Sequence, residues 1–316
     1  MGLLDKFRAL RIKATIIGAE NSGKTTLLNF LIPDESKALD DVTPTVPTTG
    51  FNRGDLNFTK LNTKMEFMDM AGQAQYRKNW EEPVKNSDVV IFVIDSADEK
   101  KYEDAKNAFH DVVNKLRQTS NNKKISIMIA LNKIDLIEDV QAKYDEMFQY
   151  LALKDFITAK NPYQMMSISA KRGDGLQQML TWIIQQSTGK ALKFEGNIYD
   201  EFMIFEKGGN LIVSKAIFMG KEMDAYVPGL LHIINSCVQQ FNTTEFKMEL
   251  NGKILLFYSK EKIVGVIVIP IGSDEKRAQT VLKDLMNQIA ATNIKDLEED
   301  KKKALYNKLV LPQILS

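Results

Sequence analysis

The chain has 316 residues, 44% of them hydrophobic and 26% charged, so it is long enough for two globular domains with their own cores. Its formal net charge of +1 at pH 7 provides no basic field that would attract nucleic acid, and no nucleic-acid partner is expected. The one cysteine, Cys237, excludes an intrachain disulfide, and no apolar run reaches transmembrane length, so we expect a cytoplasmic protein with at most peripheral membrane contact.

The N-terminal segment, residues 1–11 (MGLLDKFRALR), places Leu3, Phe7 and Leu10 on one stripe of a predicted amphipathic helix. A helix this short is marginal in water and needs a surface to bind. Two interpretations stay open. Either the helix binds a membrane reversibly, or it docks permanently on the domain that follows it.

Short apolar runs alternate with longer helical patterns through residues 12–190. In chain order the runs are ATIIG, MEFMD, VVIFVID, ISIMIALN and MMSIS. Nearly continuous apolar strands separated by helices are typical of a parallel sheet that is covered on both faces. We therefore predict an α/β domain, with a mostly parallel sheet flanked by helices, over residues 12–190, followed by a linker at residues 191–197.

The first apolar run leads into GAENSGKT, which starts at Gly18 and fits the pattern G-x-x-x-x-G-K-[ST] between a strand and a helix. Backbone N–H groups in such a loop can surround a phosphate at the helix N-terminus. Lys24 would neutralise phosphate oxygens, and Thr25 would ligate Mg²⁺. The other residues of this loop predicted to bind nucleotide are Glu20, Asn21, Ser22, Gly23 and Thr26. Alone, the loop does not distinguish ATP from GTP.

The sequence NKID follows the buried run ISIMIAL and lies at a strand's carboxyl end, where ligands bind in such sheets. Its aspartate can accept hydrogen bonds from N1–H and the 2-amino group of guanine, whereas adenine lacks these donors. The sequence SAK follows the next strand and could place a backbone N–H on the guanine O6. The predicted base-binding residues are Asn132, Lys133, Asp135, Ser169, Ala170 and Lys171. Together with the phosphate-binding motif they predict a guanine nucleotide, GTP or GDP.

The run MEFMD ends at Asp69, which can hold Mg²⁺ through water. After it, Gly72 can donate its N–H to the γ-phosphate, and Gln73 can orient the attacking water. Upstream, the segment TPTVPTTGFN offers a second Mg²⁺ ligand. The candidate threonines in that segment are Thr45, Thr48 and Thr49.

The segments PTTGFN, GQAQYRKNW and VIDSADEKKYEDAK resemble those of the Arf family of small GTPases, within the Ras superfamily. The resemblance implies a GTP-binding and GTP-hydrolysing molecular switch with exchange and activating proteins as partners, acting in membrane-associated or trafficking-type processes. It selects Thr48 as the second Mg²⁺ ligand, so the predicted catalytic residues are Gln73, Lys24 and Thr48. Glu20 stands where Arf proteins carry an acidic residue that crowds the γ-phosphate, which implies slow unassisted hydrolysis. The sequence departs from the Arf pattern at Met68, Ala71 and SAK.

Residues 198–316 show a different pattern of predicted strands and helices. DEFMIFE and LIVSKAIF read as a hairpin, and a helix with Leu230, Ile234 and Phe241 on one face comes next. TTEFKMEL and KILLFYS flank an Asn-Gly turn, which is a strong hairpin signal, and KIVGVIVIPI follows. A second helix, with Val281, Leu285 and Ile289 on one face, completes the predicted order β-β-α-β-β-β-α, and a charged C-terminal helix follows it.

This order and the opening hairpin resemble a longin or roadblock-type module. A GTPase domain followed by such a module is similar in layout to the Rag GTPases, whose C-terminal domains pair two chains, so a homo- or heterodimer is expected. The same resemblance supports an alternative to the switch: a Rag-like scaffold subunit that binds GTP, hydrolyses it negligibly and acts by dimerising.

Overall fold

The structure is a computed structural model. It describes residues 10–32, 48–58, 62–118, 123–153, 161–189, 201–207, 211–214, 244–250, 253–290, 294 and 297–315. These residues form two compact units, residues 10–189 and residues 201–314. The predicted linker at residues 191–197 lies outside the described residues. In the described part of the chain, no helix is both long enough and apolar enough to cross a membrane.

The described part of the first unit contains a six-stranded sheet in the order β2-β3-β1-β4-β5-β6. Its strands are β1 (Leu10–Gly18), β2 (Phe51–Phe58), β3 (Thr63–Met70), β4 (Val89–Asp95), β5 (Ser126–Asn132) and β6 (Tyr163–Ser167). Only β2 pairs antiparallel, with β3, among these described strands. The predicted mostly parallel sheet is therefore confirmed.

Helices lie between the strands or follow the last strand, and they pack against the sheet. They are α1 (Lys24–Leu31), α2 (Glu81–Asn86), α3 (Tyr102–Gln118), α4 (Val140–Tyr150) and α5 (Leu176–Thr188). Every residue of β4 and β5 is buried, as their continuous apolar sequences predict. Phe109 of α3 meets Phe92 of β4 edge to face, with ring centroids 5.3 Å apart. The core thus fixes the strand ends from which the site loops emerge.

The first strand starts inside the predicted N-terminal helix, so the boundary at residue 11 is wrong. Leu10 and Arg11 belong to β1. The Leu10 N–H donates to the carbonyl oxygen of Asn62 at 2.8 Å, and Arg11 pairs with Glu66 across the neighbouring strand at 3.6 Å. These cross-strand bonds extend the sheet beyond the apolar run. Residues 1–9, which carry the rest of the predicted stripe, lie outside the described residues.

The edge strand β2 has the sequence FNRGDLNF, which carries no continuous apolar run. Most of its side chains are exposed, and its backbone is held by antiparallel pairing with β3. Because an edge strand needs only one bonded neighbour and no buried face, apolar periodicity does not reveal it. The short helix α2, with Pro83 in its first turn, was likewise not predicted.

The described part of the second unit has a five-stranded sheet in the order β8-β7-β11-β10-β9. The strands are β7 (Glu201–Glu206), β8 (Leu211–Ser214), β9 (Glu245–Leu250), β10 (Lys253–Lys260) and β11 (Ile263–Pro270), and every described pairing is antiparallel. The two predicted hairpins, β7–β8 and β9–β10, are confirmed. The predicted helix around residues 230–241 lies outside the described residues.

The described part of this unit also contains two helices, α6 (Glu275–Ala290) and α7 (Glu299–Leu315). The predicted apolar face of α6, Val281, Leu285 and Ile289, is buried in a cluster with side chains of the sheet. Tyr306 of α7 stacks on Phe202 of β7, with ring centroids 6.0 Å apart. The segment predicted as a charged C-terminal helix is therefore helical and packs part of its length onto the sheet.

Candidate functional site

The polar motifs of the first unit lie on loops that follow β1, β3, β4, β5 and β6. These five strands are parallel neighbours, so their carboxyl ends share one edge of the sheet. This is the edge at which open α/β sheets bind ligands. The fold therefore brings motifs that are far apart in sequence into one place.

The phosphate loop, residues 18–25, has a backbone that glycine makes possible. Gly18 and Gly23 have φ of 148° and 92°. A Cβ at Gly18 would lie 2.2 Å from the carbonyl oxygen of Val93, and one at Gly23 would lie 2.2 Å from Nδ2 of Asn132. No side chain caps the start of α1. Its first N–H groups are therefore suited to receive an anion.

Lys24 occupies the centre of this loop and is only 6% exposed. Its Nζ donates to the carbonyl oxygen of Ala19 at 2.7 Å. Burial lowers the pKa of Lys24 to about 8, while the nearby carboxylates of Asp69 and Glu20 act in the opposite direction. A buried ammonium group gains most from a further anionic partner, which a phosphate would supply.

A cluster of oxygen atoms joins the phosphate loop to β3. The Thr25 hydroxyl donates to Oδ2 of Asp69 at 2.7 Å, and its oxygen lies 3.2 Å from Oγ1 of Thr48. Asn52 Nδ2 donates to both Thr48 Oγ1 and Asp69 Oδ2, each at 3.2 Å. Thr49 is exposed. Thr48 is therefore the described candidate threonine that lies in this cluster, and Thr45 lies outside the described residues.

Asp69 is fully buried, and its Oδ1 has no hydrogen-bond partner among the described residues. Burial raises the pKa of Asp69, against the opposing hydrogen bonds from Thr25 and Asn52. An unpartnered buried carboxylate oxygen is costly unless a cation or donor satisfies it. Two hydroxyls and a carboxylate are hard oxygen ligands, so the group fits Mg²⁺.

Gly72 and Gln73 lie against the phosphate loop. A Cβ at Gly72 would stand 2.4 Å from Lys24 Nζ and 2.7 Å from the carbonyl oxygens of Gly18 and Ala19, so only glycine fits. Gln73 Nε2 donates to Oε1 of Glu20 at 3.1 Å. The predicted water-orienting side chain is thus bonded to the acidic residue of the phosphate loop.

Asn132 connects the loops on the other side of the site. Its Nδ2 donates to the carbonyl oxygen of Ser22 at 2.8 Å, and its Oδ1 accepts from the N–H of Ala170 at 2.8 Å. Asp135 Oδ1 accepts from the Ser169 hydroxyl at 2.6 Å. The base loop (Asn132–Asp135) and the SAK loop are therefore bonded to each other and to the phosphate loop.

The structure also adds residues that sequence reasoning missed. Asp95 is 6% exposed, and its Oδ2 accepts from Lys133 Nζ at 2.6 Å. The Ser96 hydroxyl donates to the carbonyl oxygen of Asn132 at 2.7 Å. Both residues lie at the carboxyl end of β4, and this position in the sequence could have identified them as candidate site residues. Among the other predicted residues, Lys171 is exposed and Thr26 is half-buried on α1.

A mostly parallel sheet whose first strand ends in GAENSGKT, with NKID after β5, defines a small GTPase of the P-loop type. The ADP-ribosylation factor (Arf) family matches residues 3–187, which is more than half of the chain. This chain belongs to the Arf family. It therefore contains a GTPase domain that binds guanine nucleotides.

Two relatives show how far the similarity extends. The chain is 31% identical over 191 residues to ADP-ribosylation factor-like protein 3 of Chlamydomonas reinhardtii, covering 59% of this chain and 99% of that protein. It is 31% identical over 179 residues to ADP-ribosylation factor F of Dictyostelium discoideum, covering 57% of this chain and 87% of that protein.

Among solved structures, the chain is similar to the Arl6 BBS3 small GTPase of Trypanosoma brucei with bound nucleotide analogue GppNp. The identity is 22% and the TM-score is 0.48, over 57% of this chain and 98% of that one.

Proposed function

We propose that this protein is a GTP-hydrolysing switch whose nucleotide lies at the carboxyl edge of the first sheet. The observation that carries the proposal is the cluster of Thr25, Thr48 and Asp69 beside the buried Lys24. It joins the phosphate loop to two further segments, so a triphosphate bound there would touch all three. Such a site can hold both segments in one arrangement with GTP and release them after hydrolysis.

In this proposal Lys24 exchanges its bond to the Ala19 carbonyl for the phosphate oxygens. The N–H groups at the start of α1 bind the same phosphates. Thr25 and Thr48 would ligate Mg²⁺, and Asp69 would hold it through water. Bound there, Mg²⁺ neutralises the negative charge that develops on the phosphates during transfer.

Gln73 is proposed to orient the attacking water. Its amide is engaged by Glu20, and its Oε1 accepts from Gln75 Nε2 at 3.1 Å. Before Gln73 can orient water, this bond to Glu20 must break. In this proposal Glu20 would also place a negative charge near the γ-phosphate. Both effects support slow hydrolysis in the absence of an activating partner.

Guanine selectivity is assigned to Asp135. One of its oxygens accepts from Ser169, which fixes the carboxylate, and its remaining acceptor capacity would receive the donors of guanine. The N–H of Ala170 is bonded to Asn132 Oδ1, so another backbone N–H of the SAK loop would donate to O6 of guanine. Asp135→Asn replaces an acceptor with a donor and should move preference from guanine to xanthine nucleotides. Competition binding of the full chain tests this, and Asp145→Asn, an exposed aspartate on α4, is the control.

If Asp135→Asn still prefers guanine over xanthine, the base contact is wrong. If the wild type binds ATP as well as GTP, the guanine-nucleotide assignment itself fails. The wild-type competition is therefore measured first.

The second unit is proposed to be a longin or roadblock-like module. What supports this is a five-stranded antiparallel sheet in the order β8-β7-β11-β10-β9, with α6 packed on one face. In the proposal this module pairs two chains.

The N-terminal segment is proposed to contact a membrane reversibly. The switch would then act in membrane-associated or trafficking-type processes. Liposome co-sedimentation in GDP and in a non-hydrolysable GTP analogue tests the membrane contact; identical binding in both would remove its link to the switch.

The second candidate function is a scaffold that binds GTP, hydrolyses it negligibly and acts by dimerising. The bond between Gln73 and Glu20 favours it, because this bond occupies the water-orienting side chain. Single-turnover hydrolysis across protein concentrations separates the two. A rate that rises with concentration supports activation within a dimer, and a rate equal to the uncatalysed reaction supports the scaffold.

A further inference from the structure

Trp80 and Arg77 belong to the segment GQAQYRKNW, which resembles the Arf family, but the proposed function gives neither of them a role. Trp80 ends the 3₁₀ segment Ala74–Trp80 and is only 3% exposed. Its indole N–H donates to the carbonyl oxygen of Ala71 at 2.8 Å in a buried position. The indole therefore holds one end of the peptide group that joins Ala71 to Gly72.

This bond sets the direction of the Gly72 N–H. The peptide between Ala71 and Gly72 is trans, and in a planar trans peptide the C=O and N–H point in opposite directions. With the carbonyl fixed on the Trp80 indole, the N–H of Gly72 points away from it. Gly72 itself packs against Lys24 Nζ and the carbonyl oxygens of the phosphate loop. The amide is thus held beside the place where a γ-phosphate would lie.

Arg77 holds the next peptide group. Its Nε donates to the carbonyl oxygen of Gly72 at 3.1 Å. The two terminal nitrogens of the guanidinium donate to the two carboxylate oxygens of Asp104 on α3, one of them at 2.7 Å. A bidentate pair of this kind fixes the plane of the guanidinium as well as its position. The guanidinium carbon also lies 5.7 Å from the Trp80 ring centroid, so the two side chains support each other.

We propose that Trp80 and Arg77 are positioning residues for the triphosphate state, because they fix the peptide groups on both sides of Gly72 so that its N–H can receive the γ-phosphate. Asp104 holds Arg77 and thereby fastens this segment to α3. The inference rests on the proposed function, since it requires a γ-phosphate at Gly72. It makes a selective prediction: GDP has no γ-phosphate, so these residues contribute to the binding of GTP and not to that of GDP.

The test uses Trp80→Phe, which keeps an aromatic ring in the core and removes the indole donor. The matched control is Trp182→Phe, at a half-buried tryptophan on α5. A second pair is Asp104→Asn, with Asp111→Asn on the exposed face of the same helix as its control. Dissociation rates of fluorescently labelled GDP and of a labelled non-hydrolysable GTP analogue are measured on the full chain with Mg²⁺.

Trp80→Phe should release the GTP analogue about fivefold faster, the effect of one neutral hydrogen bond, and release GDP at the wild-type rate. Asp104→Asn should change the same ratio about twofold, because its ion pair is partly exposed. Both controls should leave the ratio unchanged. If Trp80→Phe does not fold, the same ratio of release rates is measured for Arg77→Lys and Asp104→Asn, because these two side chains lie outside the core.

Equal acceleration of GDP and GTP-analogue release would show that Trp80 and Arg77 support the fold alone, and it would overturn the proposal. Unchanged release of both nucleotides would overturn it as well. A wild-type protein that binds no guanine nucleotide would instead refute the proposed function. The failure of either idea is therefore visible separately.

Discussion

Replacing Asn132 with alanine should loosen the nucleotide site without touching the phosphates. Its amide donates to the Ser22 carbonyl oxygen and accepts from the Ala170 N–H, both at 2.8 Å and both in buried positions. The side chain thereby joins the phosphate loop, the base loop and the SAK loop. Alanine breaks both bonds at once and leaves a buried carbonyl and a buried N–H without partners.

The size of the effect follows from those two groups. Each buried polar group left unsatisfied costs about 1–3 kcal/mol, so the total is about 2–6 kcal/mol. Part of this cost is the free energy that is needed to bring the loops back together, and bound nucleotide must supply that part. If that part is about half, nucleotide affinity falls by about 1–3 kcal/mol, which corresponds to an increase of about 5- to 150-fold in the dissociation rate.

The assay follows release of fluorescently labelled GDP from the full chain after addition of excess unlabelled GDP. Asn107→Ala, at an exposed asparagine on α3, is the matched control and should release GDP at the wild-type rate. Asn132→Asp keeps the acceptor for Ala170 but places a carboxylate oxygen against the Ser22 carbonyl oxygen, so it should also release GDP faster than the wild type. If Asn132→Ala releases GDP at the wild-type rate, the three loops are positioned independently of Asn132, which would contradict its proposed role.

Two further substitutions test the phosphate side of the site. Thr25→Asn removes the hydroxyl that lies between Asp69 and Thr48, so it should weaken Mg²⁺ binding and lower the affinity for GTP relative to GDP; an Mg²⁺ titration that leaves this ratio unchanged would contradict the assignment. Glu20→Gln keeps the size of the side chain and removes its negative charge, so single-turnover hydrolysis should rise by about fivefold, and an unchanged rate would show that Glu20 does not slow the reaction.

The sequence was sufficient to predict that the phosphate loop, the base loop and the SAK loop lie close together, because each of them follows an apolar run. Buried parallel strands place their carboxyl ends at one edge, so motifs that follow different strands must meet there. This is why the sequence predicts that residues as distant as Ser22 and Asn132, which are joined by a hydrogen bond, lie close together. The continuous burial of β4 and β5 was predictable for the same reason.

Other features depend on contacts that no local pattern encodes. The edge strand β2 is held by backbone pairing and carries mostly exposed side chains, so its polar sequence reads as a loop. Asn52 and Asp95 gain their roles from partners in distant segments, Asp69 and Lys133. The start of β1 was misplaced because helical periodicity in residues 1–11 competes with cross-strand bonds that become visible only in the folded sheet.

Single-turnover hydrolysis of GTP by the full chain, compared with its Gln73→Leu variant, shows most directly whether this protein is a GTP-hydrolysing switch that uses Gln73. Leucine is similar in size to glutamine but cannot orient water, so GTP binding should persist while turnover falls by at least about tenfold. A GTP-hydrolysing switch that uses Gln73 should show a slow wild-type rate that nevertheless lies clearly above that of the variant. A wild-type rate equal to that of Gln73→Leu would contradict a GTP-hydrolysing switch that uses Gln73 and would favour the scaffold.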